Sequence, residues 1–180
     1  MRITHERGLF LTSTSKTADP ALERLFTEHH AGVYRAAYRV TGNAADAEDV
    51  LQTVFLRLAS RDALAAISHA YLARAAVNAA LDVLRSRALR QGPELDERFP
   101  APAGPATDPA SRQETLAVRA RLRDALSDLS PKMAEIFCLR HLEGLPNREI
   151  AAVAGMSAAS VAIVLFRAKA RLQVALRSEA

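Results

Sequence analysis

The sequence predicts an all-α protein made of two small helical domains joined by a flexible linker. Three observations carry this. About half of the 180 residues are hydrophobic, but only 5% are aromatic, Trp is absent, Gly is sparse, and Ala, Leu and Arg dominate. That balance favours helices over sheets. Apolar residues recur at helical spacing through most of the chain. Between two such stretches, Pro93, Pro100, Pro102, Pro105 and Pro109 cluster with Gly92 and Gly104, which forbids regular hydrogen bonding there. The expected division is a flexible tail over 1–20, a helical domain over 21–91, an extended linker over 92–111 and a second helical domain over 112–180.

In the first block, Leu22, Leu25, Phe26, Val33, Ala37 and Val40 mark one amphipathic helix that stops at Gly42-Asn43. A second helix is expected over 44–59, with Ala47, Val50, Leu51, Val54 and Leu58 inward. A connection over 60–68 has room for a helical turn, and a third helix follows over 71–89. In the last block, Ser130-Pro131 starts a helix carrying Met133, Ile136, Phe137 and Leu139. A turn at Glu143-Gly144-Leu145-Pro146 leads to a short helix over 147–153. A break at Ala154-Gly155-Met156 precedes a longer helix over 157–176, with Ser157 as a good N-cap. Val161, Leu165, Ala168 and Leu172 form its inner face, against Ile150 and Val153. Two helices joined by a three-residue, Gly-containing turn make a helix-turn-helix, whose second helix enters the DNA major groove. The plainer alternative is a small helical hairpin whose basic residues, Arg167, Lys169, Arg171 and Arg177, stay solvated.

The formal charge is +4 and the pI about 9.7, which fits a nucleic-acid partner without requiring one. Cys138 is the single cysteine and sits in an apolar helical run; it reads as a buried structural thiol. No run reaches the length of a membrane span. The polar N-terminal stretch lacks a signal peptide's apolar core, so no membrane insertion and a cytoplasmic location are expected. His29 and His30 are adjacent and point in different directions on a helix, so no metal site is expected there. No cofactor, phosphate loop or nucleophile–base motif is visible, and the chain is not expected to be an enzyme.

The second helix opens Asp46-Ala47-Glu48-Asp49 and continues through Gln52 to Phe55. Acids suit a first helical turn, but this cluster is denser than capping needs. Glu48, Asp49 and Gln52 lie close on one strip, a plausible protein-docking surface ending in an aromatic. The third helix carries Arg74, Arg85, Arg87 and Arg90 with Asn78 and Asp82. Arg and Asn suit phosphates and base edges, and Tyr71 offers a stacking face. The same arginines would also complement the helix dipole while staying in water.

In order, Leu25-Phe26 with Tyr34, Thr41-Gly42-Asn43, Asp46 through Gln52 to Phe55-Leu56-Arg57, Ala70-Tyr71-Leu72, Asn78, Asp82 and Leu84-Arg85 make a recognisable set. It continues with Leu129-Ser130-Pro131, Leu139-Arg140, Glu143-Gly144-Leu145, Glu149-Ile150-Ala151, Gly155-Met156-Ser157, Ser160-Val161 and Leu165 through Lys169. The set resembles the bacterial RNA polymerase sigma factors of the extracytoplasmic-function (ECF) group of the sigma-70 family, over residues 22–176. The resemblance implies a sigma-two-like and a sigma-four-like domain. It implies that Asp46, Glu48, Asp49, Gln52 and Phe55 dock on core RNA polymerase. Tyr71, Arg74, Asn78, Arg85 and Arg87 would handle the downstream promoter box, with an extruded base beside the 60–68 loop. Arg140, Arg148, Ser157, Ser160, Arg167, Lys169 and Arg171 would serve the upstream box. Promoter DNA and core polymerase are the implied partners, with an anti-sigma factor as a third.

Two departures from the family pattern bear on function. Val77 stands before Asn78 where a basic residue is usual. On the recognition helix Ala162, Ile163 and Val164 replace polar residues. Apolar groups touch thymine methyls but cannot hydrogen-bond guanine or phosphate. Upstream binding is therefore expected to be weak, differently specific, or dependent on Arg140, Arg148 and Arg167 at phosphates. An apolar face of Ile163, Val164 and Phe166 also suits a protein contact. The competing reading is a stand-alone helix-turn-helix regulator, which would shift duplex DNA without polymerase.

Overall fold

The computed structural model describes residues 19–61, 64, 67–90 and 109–178. Those residues form seven helices and no strand: α1 Pro20–Thr41, α2 Ala44–Ala59, α3 His69–Arg90, α4 Pro109–Asp128, α5 Pro131–His141, α6 Asn147–Ala154 and α7 Ala158–Ser178. Most of the expected tail and most of the expected linker lie outside the described residues; the tail's last two positions, Asp19 and Pro20, are the N-cap and first residue of α1. α4 begins at Pro109, inside the stretch expected to be linker. A proline at the start of a helix loses no hydrogen bond, because the first N–H groups have no intrahelical acceptor.

The α1–α2 corner is set by Thr41-Gly42-Asn43. Gly42 ends α1 at φ 66°, and its N–H donates to the Tyr38 carbonyl, a left-handed cap that glycine adopts without strain. Asn43 caps α2 by accepting from the Asp46 N–H at 3.1 Å. The buried Thr41 hydroxyl donates to the Ala37 carbonyl at 3.1 Å and accepts from the Asn43 N–H, so it is satisfied. The α6–α7 turn works similarly. Gly155 at φ 65° closes α6, and Ser157 Oγ accepts from the Ser160 N–H at 3.0 Å. As expected, Val161, Ala168 and Leu172 are buried, with Leu165 half-buried beside them.

The two helical halves pack together through α3. Ala70, Leu72, Ala73, Ala76, Val77, Ala79, Ala80, Leu81 and Leu84 are all buried, so α3 is apolar around most of its circumference. α1 and α2 cover one side of it; α4, α5 and α6 cover the other. Val77, which stands where similar proteins usually carry a basic residue, is fully buried. Polar contacts reinforce this junction. Arg74 donates from Nε to the Glu135 carboxylate and from Nη1 to the Val153 carbonyl. Arg39 Nη1 donates to both oxygens of Glu143 at 3.0 Å. The Arg123 guanidinium from α4 lies so close to Gly42 that a methyl group there would come within 2.5 Å of it. Cys138 is fully buried in α5; burial, then Glu143, pushes its thiol up to about 12, so it stays protonated and inert.

Burial alone would raise the Glu135 carboxyl, but hydrogen bonds and charge from Arg74 and Lys132 outweigh it and hold the group below its ordinary 4.5. A lowered carboxylate stabilises the fold above the unfolded value and loses that contribution as pH falls through the folded value. The junction should thus be intact at neutral pH and loosen in acid, below the usual carboxylate range. Glu135→Gln should weaken it by about 1–3 kcal/mol at neutral pH and flatten that acid response. Energy transfer between dyes on the exposed Glu48 and Gln173 positions reads the separation. Equal transfer in the variant and the parent at pH 7 would rule out this role for Glu135.

Candidate polymerase and promoter interface

The acidic strip on α2 is present as a surface. Glu48, Asp49 and Gln52 are exposed. Phe55 does not end it, contrary to expectation: it is 7% exposed and meets Phe26 edge-on with ring centroids 4.9 Å apart. The apolar end of the strip is Leu56, 71% exposed, one turn past Gln52. Phe26, expected inward, is 43% exposed and stacks on His30. Four-residue spacing from Gln52 could have identified Leu56, because i and i+4 share a face.

Asp46 behaves differently from its neighbours. It is largely buried and its Oδ1 accepts from Arg87 Nη2 at 2.8 Å, while Oδ2 is buried without a partner. Burial raises its carboxyl, with Asp49 adding repulsion and Arg87 only partly offsetting both. Asp46 is thus an internal brace between α2 and α3, not an open docking group. Arg87 is correspondingly not on the same face of α3 as the other expected DNA residues. Nine positions past Asn78, at 3.6 residues per turn, it starts from the opposite side of α3, and its guanidinium reaches Asp46 at the start of α2.

Tyr71, Arg74 and Asn78 do come together. They line a cavity of about 280 Å³ with Arg57 and Arg61, over Val54 and Leu58. The Arg61 guanidinium sits 5.2 Å from the centroid of the Tyr71 ring, a cation–π arrangement. Arg57 and Arg61 were not among the expected site residues, although their i, i+4 placement beside the 60–68 connection was a readable signal. An aromatic face, an amide and three guanidiniums around one cavity suit a planar base on an anionic backbone. Arg74 is the member held away, by Glu135 and Val153. Arg85 lies about two turns beyond Asn78 on the same side of α3, paired with Asp82 at 3.5 Å. Its Nη2 is buried without a partner.

On the helix-turn-helix, Arg148, Ser157, Arg167, Lys169 and Arg171 are exposed. Arg140 is exposed, with Nη1 donating to the Leu145 carbonyl at 3.1 Å. Ser160 is half-buried and its hydroxyl is 2.9 Å from that of Ser157. Burial, with Arg140 and Lys169 nearby, lowers the His141 pKa from its ordinary value. Of the three apolar replacements, Ala162 and Ile163 face outward while Val164 packs on the core. Among the described residues no single helix is long and apolar enough to cross a membrane; α6 and α7 reach that composition together but are bent by 102°. Among the described residues no group of three His, Cys, Asp or Glu side chains could hold a metal.

Comparison with known proteins matches these regions. Residues 25–90 fit the Sigma-70 region 2 family, and residues 119–172 fit Sigma-70, region 4. RNA polymerase sigma-E factor of Streptomyces avermitilis is 37% identical over 147 residues, 80% of this chain and 78% of that one. Ferric citrate uptake sigma factor FecI of Escherichia coli is 32% identical over 147 residues, 81% and 84% of the two chains. The structure of CnrH in complex with the cytosolic domain of CnrY is similar in fold, with TM-score 0.55 and 24% identity, covering 88% of this chain and 89% of that one. With α1–α3 in the region 2 match and α5–α6 and most of α7 in the region 4 match, the chain belongs to the sigma-70 family of RNA polymerase sigma factors, in its extracytoplasmic-function group.

Proposed function

We propose that this chain is an alternative sigma factor that binds core RNA polymerase and directs promoter recognition and melting, performing no catalysis of its own. The observation that carries the residue-level reading is the cavity at the α2–α3 junction. Tyr71, Asn78, Arg57, Arg61 and Arg74 converge on it, next to the exposed Glu48, Asp49, Gln52 and Leu56 on the other side of α2. α2 thus offers a carboxylate surface to a basic protein partner on one side and, with α3, walls a cationic, aromatic pocket for single-stranded DNA on the other.

In this reading residues 21–91 dock on the polymerase and hold the downstream box, and residues 112–180 meet the upstream box. A base leaving the duplex stacks on Tyr71 under the Arg61 guanidinium, Asn78 hydrogen-bonds its edge, and Arg57 and Arg74 meet the flanking phosphates. Arg74 can do so only after releasing Glu135, so the junction between the halves has to open. Docking on the polymerase supplies the competing interaction. Arg85 continues the cationic side of α3, while Arg87 and Asp46 act by fixing α2 on α3. Arg148, Arg167, Arg171 and Lys169 supply phosphate contacts to upstream duplex. An anti-sigma factor is the further partner that family membership suggests.

Transcription in vitro with purified core polymerase on a promoter library tests the function directly. Promoter-specific transcripts should require both core and this chain. A chain that shifts duplex DNA alone and gives no transcripts with core would return the helix-turn-helix regulator. Asp49→Lys with Gln52→Ala should lower core affinity at least tenfold, about 1.4 kcal/mol, with native helicity; unchanged affinity would remove the strip from the interface. Asn78→Ala and Arg61→Ala should leave holoenzyme assembly intact and reduce open-complex formation, read by permanganate reactivity of unpaired thymines. Normal melting in both variants would take the cavity out of promoter opening.

A further inference from the structure

Helix α7 has two apolar faces. Val161, Ala168 and Leu172 are buried against the core. On the opposite side Ile163, Phe166 and Val174 are 53%, 77% and 68% exposed, with exposed Ala170 between them. Their spacings of three, four and four make one strip, about 16 Å long at 1.5 Å rise per residue. The charges beside it have a single sign: Arg167, Arg171 and Arg177 are exposed along its edges, and α7 contains no Asp or Glu. Scattered exposed apolar side chains are ordinary on a soluble protein, but a contiguous strip rimmed by charge marks an interaction site.

We propose that this outer face of α7, from Ile163 to Val174, docks an amphipathic helix of a partner protein that carries carboxylates beside its apolar stripe. A helical row of apolar knobs fits another helix by ridge-into-groove packing. Carboxylates opposite Arg167 and Arg171 would form charge-assisted hydrogen bonds and set the direction of the incoming helix. A second copy of α7 is the poorer occupant, because it would place arginines against arginines. The chain's own acidic stretch, Glu94 to Phe99, carries Leu95 and Phe99 but is bracketed by Pro93 and Pro100. Six residues of helix span only about 9 Å, little more than half the strip. Duplex DNA would satisfy the arginines but leave Phe166 and Val174 facing phosphate and water. Ile163 and Phe166 lie in the half of α7 expected to meet DNA, so this occupant and upstream duplex exclude each other.

The test uses the full chain without polymerase or promoter, so its result is independent of the sigma-factor reading. The probe is a labelled helical peptide of about 20 residues, long enough to hold a stable helix, with Leu along one stripe and Glu beside it. A control peptide has Lys in place of Glu. By fluorescence anisotropy the Glu peptide should bind at least tenfold tighter than the control, and the difference should shrink with added salt. Phe166→Ser with Val174→Ser should reduce Glu-peptide binding at least tenfold at unchanged melting temperature, because both side chains are exposed. Equal binding of the two peptides, or binding indifferent to the double substitution, overturns the proposal. So does a Phe166-dependent dimer in sedimentation, which assigns the face to a second copy. Phe166-dependent binding to phosphatidylglycerol vesicles would assign it to lipid instead. Tighter peptide binding by Leu95→Ser with Phe99→Ser would assign it to the chain's own acidic stretch.

Discussion

Between α3 and the C-terminal helices, the Arg74 guanidinium is shared by the Glu135 carboxylate and the Val153 carbonyl, and the same residue lines the cavity beneath Tyr71 and Asn78. A guanidinium has donors enough for more than one acceptor, so Arg74 can brace the two halves and edge the cavity at once. It cannot also give those donors to a phosphate. The state in which Arg74 joins the halves and a state in which its donors are free for an anion in the cavity are therefore alternatives. The Arg39–Glu143 pair favours the joined state. An isolated surface pair is worth little, but the Glu143 and Glu135 side chains are each only 6% exposed, where loss of a partner leaves a desolvated carboxylate.

The same accounting explains the uneven roles of the charges on α2. Glu48, Asp49 and Gln52 keep their hydration and can exchange it for a basic partner. Asp46 has already exchanged water for Arg87 at Oδ1, and the exchange is incomplete because Oδ2 is buried without a partner. An acid already neutralised inside the fold adds little to a docking surface. Its pair with Arg87 instead ties the start of α2 to the end of α3.

Much of the fold was legible because its signals are local. Helical periodicity, Asn43 and Ser157 as caps, and Gly42 and Gly155 at left-handed positions mark boundaries within one turn of chain. The all-helical class and the run of α2 came from such signals. Partners across the fold are not local. Arg74 and Glu135 are 61 residues apart, and Arg87 and Asp46 are 41 apart; a basic helix in isolation reads as solvated or DNA-facing whatever it will meet. Phe55 and Leu56 show a finer limit. Both follow the acidic strip, and only packing against Phe26 decides which of the two turns inward. Arg57 and Arg61 were missed because a pair of arginines at a helix end looks like dipole compensation until a tyrosine from another helix is set beneath one of them.

The recognition helix remains the sharpest departure from a conventional reader of duplex DNA. Its second turn presents Ala162 and Ile163 where hydrogen-bonding groups are expected, while Val164 is committed to the core. Sequence readout in the major groove depends on donors and acceptors aimed at base edges, and α7 offers few. Its arginines can still neutralise phosphates, which gives affinity without much selectivity. The cavity of Tyr71, Asn78, Arg57 and Arg61 has the aromatic face and amide that α7 lacks, and the proposed function places selectivity there. In the proposed function the upstream half contributes charge and reach, the downstream half contributes discrimination, and the apolar outer face of α7 is the surface proposed for a protein partner.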